Sequence, residues 1–310
     1  MTTKLSSCAA LCCLVPMLGC APEEPASETD APTTAAEQMP AAVQTAMPHN
    51  ELTEVASADG VSIHFDQRGQ GDISVVLVHG WSCDSGYWQR QRDWLAERYR
   101  VVSIDLAGHG KSGSNRTDWS MMAFGEDVAA VATALDLQNI VLVGHSMGGP
   151  VVLEAERLLE DRVIGVVGAD TLRNIGAEMP EDARQAYMQR MEEDFVTTVT
   201  GIVEGMFLED ADPAIRSFVV RDMASAPPAV GQAALVALNS YDDEGGLDRL
   251  RAPLVLINSD YRPNHLEPLQ QRVDDFQFVA MTGVGHFVML EDPDVFNAHL
   301  EAAIQRFAGK

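Results

Sequence analysis

From residue 51 onward, short apolar runs alternate with longer stretches whose apolar and charged residues recur at helical spacing, the pattern of an α/β sheet. Leu52–Ala56 and Val61–Phe65 flank Asp59-Gly60, a hairpin turn signal. Ser74–Val78 is continuously apolar and bounded by glycine, as expected of a strand buried on both faces. Tyr87–Arg98 carries Trp88, Trp94 and Leu95 among charged residues and reads as a helix. Val101–Ile104 is a second buried strand, and Asp127–Leu135 lies in a helix rich in alanine and valine. Strand Ile140–Val143, a helix from about Gly149 to Leu159 and strand Val163–Gly168 follow.

Between about Thr171 and Arg251 the alternation breaks into a mostly helical segment with methionines, acidic residues and a Pro227-Pro228 interruption. Leu254–Ile257 and Phe276–Met281 restore the strands, and a last helix runs from about Pro293 to Phe307. No internal repeat is visible. The expectation is one domain over 51–310: a mostly parallel central sheet flanked by helices, with a helical cap at about 171–251 inserted after the sixth core strand. Excursions of that length commonly serve as lids. Its Met179, Met188, Met191, Met206, Phe207 and Met223 are expected either to line an adaptable apolar pocket or, more simply, to pack as the underside of the cap.

Composition narrows the function classes. The chain has 310 residues, enough for one large domain and a leader. Asp and Glu number 46 against 21 Lys and Arg, a formal net charge of −25, so its surface repels phosphate backbones and nucleic acid is excluded as a partner. No apolar run reaches the roughly 18 residues of a membrane-spanning helix. Four of the cysteines (Cys8, Cys12, Cys13, Cys20) fall within the first twenty residues, leaving Cys83 alone in the body as a packed thiol without a disulfide partner.

Three motifs carry chemistry. Gly144-His145-Ser146-Met147-Gly148 lies directly between a strand and a helix, the context of a G-x-S-x-G nucleophile elbow. Small residues permit the sharp turn, which projects the Ser146 hydroxyl clear of the sheet at a helix N-terminus. His79-Gly80-Trp81 follows strand Ser74–Val78; Gly80 permits close approach, and the backbone N–H groups of Trp81 and Met147 are candidate donors to a tetrahedral oxyanion. His79 itself is expected to bridge the loop structurally. Gly283-Val284-Gly285-His286-Phe287 follows the strand Phe276–Met281, and His286 is the candidate general base that an uncharged serine requires. No phosphate loop, dinucleotide fingerprint or zinc-ligand spacing occurs, so neither cofactor nor metal is expected.

Together these motifs resemble the α/β-hydrolase family over about Leu52 to Lys310. Asp105-Leu106-Ala107-Gly108-His109-Gly110-Lys111-Ser112 is similar to the family's structural D-x-x-G-x-G-x-S turn, and Glu291-Asp292-Pro293 to its E-x-P helix start. The resemblance implies an acid to orient His286. Most members carry it shortly after the strand that precedes the histidine loop, where this chain offers Asp260 in a loop that looks shortened. Some lipases take it from the end of the sixth core strand, where Asp170 stands. Both remain open at this point. Dehalogenases and epoxide hydrolases of the fold use an aspartate at the elbow, where this chain has Ser146. The leading expectation is hydrolysis of a carboxylic ester, through an acyl-enzyme, on a small apolar substrate. The alternatives are C–C bond, lactone or thioester hydrolysis, or a surface binding protein that kept the fold.

Residues 1–20 read as a secretion signal, with Lys4 before an apolar stretch from Cys8 to Leu18. Met17-Leu18-Gly19-Cys20 resembles a bacterial lipobox, which implies a lipid on Cys20, and Ala21 after it implies the outer membrane, facing the periplasm or the cell surface. Residues 21–50, rich in Ala, Pro, Glu and Thr and without an aromatic residue, are expected to form a disordered acidic tether.

Overall fold

The computed structural model describes residues 52–177 and 180–309. The leader, the tether, Cys20 and Met179 lie outside the described residues. Eight strands form one sheet in the order β1-β2-β4-β3-β5-β6-β7-β8: β1 (Glu54–Ala56), β2 (Ser62–Arg68), β3 (Ser74–Val78), β4 (Arg100–Ile104), β5 (Ile140–His145), β6 (Val163–Ala169), β7 (Leu254–Ser259) and β8 (Phe276–Met281). β1 and β2 pair antiparallel around the hairpin in which Gly60 takes φ +85°, β2 pairs antiparallel with β4, and every other pairing is parallel. The fully buried apolar runs of β3 and β7 follow from that placement, because helices cover both faces of a parallel sheet.

The helices are α1 (Gln89–Leu95), α2 (Met121–Ala134), α3 (Gly148–Leu159), α4 (Glu181–Glu193), α5 (Phe195–Glu204), α6 (Pro213–Ala224), α7 (Pro228–Asn239), α8 (Asp243–Arg249), α9 (Glu267–Arg272), α10 (Val288–Glu291) and α11 (Pro293–Ala308). One boundary differs from the periodicity. The stretch expected as one helix over Tyr87–Arg98 opens with a 3₁₀ turn at Ser85–Trp88, capped by the Asp84 carboxylate on Gly86 N–H at 2.7 Å. The helix expected to hold Asp127–Leu135 runs from Met121 to Ala134, and the Ser120 hydroxyl caps it by accepting from Ala123 N–H at 3.1 Å.

Five helices, α4 to α8, fill the chain between β6 and β7. Pro227-Pro228 starts a helix rather than interrupting one, since Pro228 occupies the first turn, where no N–H is needed. Met191, Met223 and Phe207 are buried and Met188 and Met206 pack beside them, so the methionines fill the interior of these helices. The segment is fastened to the sheet layer by side chains. The Trp81 indole donates to the Gly231 carbonyl of α7 at 2.7 Å, and Tyr241 and Arg249 both reach Glu154 of α3.

Strand order reverses beside β3, so β3 and β5 run adjacent while their continuations diverge, the place where open α/β sheets leave a crevice at the strand ends. Register then fixes what gathers there. Val78 is opposite Gly144, His145 opposite Ala169, Ala169 opposite Ile257, and Ser259 opposite Met281. The residues just beyond these pairs are His79-Gly80-Trp81, Ser146, Asp170, Asp260 and the loop to His286. The candidate catalytic and oxyanion residues from the sequence therefore emerge at one end of one sheet.

Candidate active site

Ser146 follows β5 immediately and holds φ +52°, a left-handed conformation costing a serine on the order of 1 kcal/mol. Three hydrogen bonds to its N–H and carbonyl hold it there. Its N–H donates to Ala169 O at 3.1 Å, and its carbonyl accepts from Gly149 N–H at 2.9 Å and from the Thr171 hydroxyl at 2.7 Å. The turn closes only on glycine. A Cβ on Gly144 would fall on the Gly148 carbonyl, 2.5 Å from its carbon, and one on Gly148 would stand 2.7 Å from Val78 O. Asp170, one residue beyond β6, repeats the device with φ +48°.

His286 and Asp170 meet. Nδ1 of the imidazole lies 2.6 Å from Oδ2 of the carboxylate, and both side chains are buried. A carboxylate only accepts, so Nδ1 carries the hydrogen and Nε2 keeps its lone pair. The other oxygen, Oδ1, accepts from Ser259 N–H at 2.7 Å, the Ser259 hydroxyl at 2.8 Å and the Arg173 guanidinium. Burial alone would raise the Asp170 carboxyl; the hydrogen bond and charge of His286, then Arg173 and Ser259 N–H, outweigh it and hold the group below the usual carboxylate range.

Asp260 does not reach the imidazole. Its N–H donates to Met281 O at 3.0 Å, prolonging the β7–β8 ladder by one residue, and the residue stays exposed. The end of β7 serves Asp170 instead. Ser259 binds its carboxylate, while Asn258 grips Thr171, accepting from its N–H at 3.1 Å and donating to its carbonyl at 2.8 Å. Of the two candidate acids, then, the fold brings Asp170 to His286 and leaves Asp260 in solvent.

Further residues hold the His286 loop, in roles to which the sequence did not assign them. The Glu291 carboxylate accepts from Gly285 N–H at 2.9 Å and Phe287 N–H at 3.0 Å, which gives the E-x-P element its work. Met206 O accepts from His286 N–H at 2.8 Å, and Phe207 stacks on Phe287 with centroids 5.1 Å apart. His145 sits behind, its ring 4.8 Å from that of His286, and Nε2 donates to the His286 carbonyl at 3.0 Å. Burial, then the His286 charge, push His145 down to about 3, so it stays neutral. His79 also keeps to structure: Nε2 accepts from Leu106 N–H at 3.0 Å and Nδ1 donates to Gly80 O at 2.8 Å.

Gly80 brings its loop against the serine. A Cβ on it would stand 2.9 Å from His145 Nδ1 and 3.1 Å from Ser146 Cβ. Among the described residues the backbone N–H groups of Trp81 and Met147 have no hydrogen-bond acceptor. A cavity of ≈ 280 Å³ opens beside Ser146, with Met147, Pro150, Leu172 and Leu238 as apolar walls and Arg173 and Asp243 as charged ones. Among the described residues no group of three or more His, Cys, Asp or Glu is gathered as a metal would require.

A sequence model described as the alpha/beta hydrolase family matches residues 75–299. The chain belongs to that family. A non-heme chloroperoxidase of Streptomyces lividans is 39% identical over 97 residues, 31% of this chain and 35% of that protein, so the match spans about a third of the relative. A pimeloyl-[acyl-carrier protein] methyl ester esterase of Nitrosospira multiformis is 25% identical over 259 residues, covering 77% of this chain and 97% of the relative. Among solved structures, an esterase from Exiguobacterium antarcticum superposes with a TM-score of 0.74 at 21% identity, covering 82% of this chain and 99% of the esterase. That likeness is one of fold.

Proposed function

We propose that the protein is a cofactor-independent serine hydrolase that cleaves small carboxylic esters. The observation that carries the reading is the 2.6 Å contact between buried Asp170 and His286 at the strand ends where Ser146 is held at φ +52°. In this reading Ser146 Oγ attacks the ester carbonyl and His286 Nε2 takes its proton. The N–H groups of Trp81 and Met147 receive the oxyanion, and Asp170 fixes the imidazole tautomer and stabilises its charged form. His286 then protonates the departing alkoxide, and water, deprotonated by the same imidazole, releases the acyl group from Ser146. The methyl ester esterase relative, matched over 97% of its length, supports ester cleavage. The test is a panel of p-nitrophenyl esters of graded acyl length. Short acyl groups that fit ≈ 280 Å³ are expected to turn over; silence across the panel with opening of lactones would move the reading to the second class of substrate.

Asp243 adds a preference. Among the described residues its carboxylate has no hydrogen-bond or ion-pair partner, and it lines the cavity that contains Ser146. Burial and then the Asp242 charge push it up to about 6. Above that pH it is an anion facing the substrate. An ester bearing a quaternary ammonium should therefore be favoured over a neutral ester of equal size at pH 8, and the preference should fade as pH drops through about 6. Asp243→Asn is expected to lower the ratio of the two kcat/KM values by about 3- to 10-fold at pH 8. An unchanged ratio would place the charge outside substrate reach.

We also propose that the protein is exported and anchored through Cys20, on the strength of Leu18-Gly19-Cys20 and the tether-like composition that follows.

A further inference from the structure

Arg173 occupies a position that ester hydrolysis does not require. It follows Asp170 by three residues in a segment where Asp170 and Leu172 both adopt positive φ, +48° and +50°, and this curl returns the guanidinium to the carboxylate that began it. Nη2 bonds Asp170 Oδ1 and also donates to Ser259 Oγ at 2.7 Å. Nε lies 3.3 Å from Asp170 Oδ2, and Nη1 donates to Arg262 O at 2.9 Å. The guanidinium carbon stands 5.0 Å from the centre of the Tyr261 ring. The side chain is only 14% exposed, so bulk water screens it little. Oδ2 is thus shared between a permanent cation and the imidazole 2.6 Å away.

We propose that Arg173 is a positioning residue that keeps Asp170 ionised and oriented and extends the working range of His286 toward lower pH. The inference rests on the reading of Ser146, His286 and Asp170 as a hydrolytic triad. A carboxylate that already neutralises a guanidinium attracts an imidazolium less strongly, and the guanidinium repels that imidazolium directly. Both effects disfavour the protonated ring and leave Nε2 free to accept the serine proton in more acidic solution. Removing Arg173 therefore moves the acid limb of activity to higher pH.

The other groups around the pair do not duplicate this charge. His145, behind the ring from β5, is neutral, pushed down to about 3 by burial and then by the His286 charge. Tyr261, on the loop after β7, is raised by burial and then by the Asp170 charge, and so is neutral as well. Arg262 stands 5.1 Å from the same Tyr261 ring and turns its guanidinium to Gly205 O at 3.1 Å. Glu291, from α10, is raised chiefly by burial, and its carboxylate is spent on the Gly285 and Phe287 N–H groups. Among the described residues Arg173 is the one guanidinium or ammonium that touches Asp170.

The experiment measures kcat/KM against pH, between pH 4 and 9, with a neutral ester for the full chain and for Arg173→Met, Arg173→Gln and Arg173→Lys. Met and Gln are expected to move the acid limb up by about 0.5–1 pH unit, and Lys, which keeps the charge, to leave it within about 0.3 unit of wild type. Gln retains hydrogen bonding and serves if the Met variant fails to fold. A merely structural Arg173 would lower the plateau or the melting temperature without moving the limb. A limb for Met or Gln coincident with wild type overturns the inference. Ser146→Ala run alongside separates the two claims: if it keeps wild-type turnover, the triad reading itself has failed, whereas an inactive Ser146→Ala with an unmoved limb removes only the role given to Arg173.

Discussion

Asp170→Asn is expected to lower kcat about 10³- to 10⁴-fold, while Asp260→Asn leaves it within about twofold of wild type. The carboxamide can turn its NH₂ group toward Nδ1, and the imidazole then accepts at Nδ1 and carries its proton on Nε2, the wrong tautomer to take one from serine. It also leaves no negative charge for the imidazolium of the transition state or for Arg173, which touches the same carboxylate. Asp260 is exposed and its backbone belongs to the β7–β8 ladder, so an amide there alters neither. Steady-state kinetics on a single p-nitrophenyl ester decide the matter. A crippled Asp260→Asn beside an active Asp170→Asn would mean that the acid moves between the two strand ends during catalysis, against everything the hydrogen bonds suggest.

The second large effect is on stability. Gly144→Ala is expected to destabilise the domain by about 3–5 kcal/mol, roughly 6–15 °C in melting temperature. The added methyl would fall on the Gly148 carbonyl, with the Gly148 carbon at 2.5 Å and Gly149 N at 2.9 Å. All three are backbone atoms at the start of α3, and they cannot swing aside as a side chain could. Gly201→Ala is the matched control. It lies in α5 with open space around its position, so the same methyl should gain about 0.5–1 kcal/mol of helix propensity. One substitution, made at two glycines, is thus predicted to change sign. Thermal unfolding of both variants tests it, and equal melting temperatures would show that the elbow relaxes more than its packing allows.

Much of the fold was legible because its strands are buried on both faces. Runs such as Ser74–Val78 and Leu254–Ile257 admit few readings when glycine or proline bounds them and helical spacing lies between. The alanine- and valine-rich stretch marks the body of α2 but not its start, because the Ser120 cap is a single side chain rather than a period. At the site, Ser146 and His286 stand out locally, each set in its own glycine motif. The choice between Asp170 and Asp260 is different in kind. Both follow a strand, and what separates them is the positive φ at Asp170 and the hydroxyl of Ser259 eighty-nine residues away. No local pattern encodes that. The roles of Arg173 and His145 are hidden for the same reason, since each acts through a loop folded back by distant contacts. The E-x-P element points to Glu291 without revealing that it serves the Gly285 and Phe287 N–H groups.

The central claim is that the hydroxyl at 146 is a nucleophile activated by the imidazole at 286. The most direct measurement is reaction with a fluorophosphonate, followed by mass spectrometry of the peptide that contains Gly144 to Gly148. One phosphonyl group per chain is expected on Ser146, with activity lost in proportion to labelling and no label on Ser146→Ala. Wild-type protein that stays unlabelled while turning over esters, or an alanine variant labelled to the same extent, would contradict it.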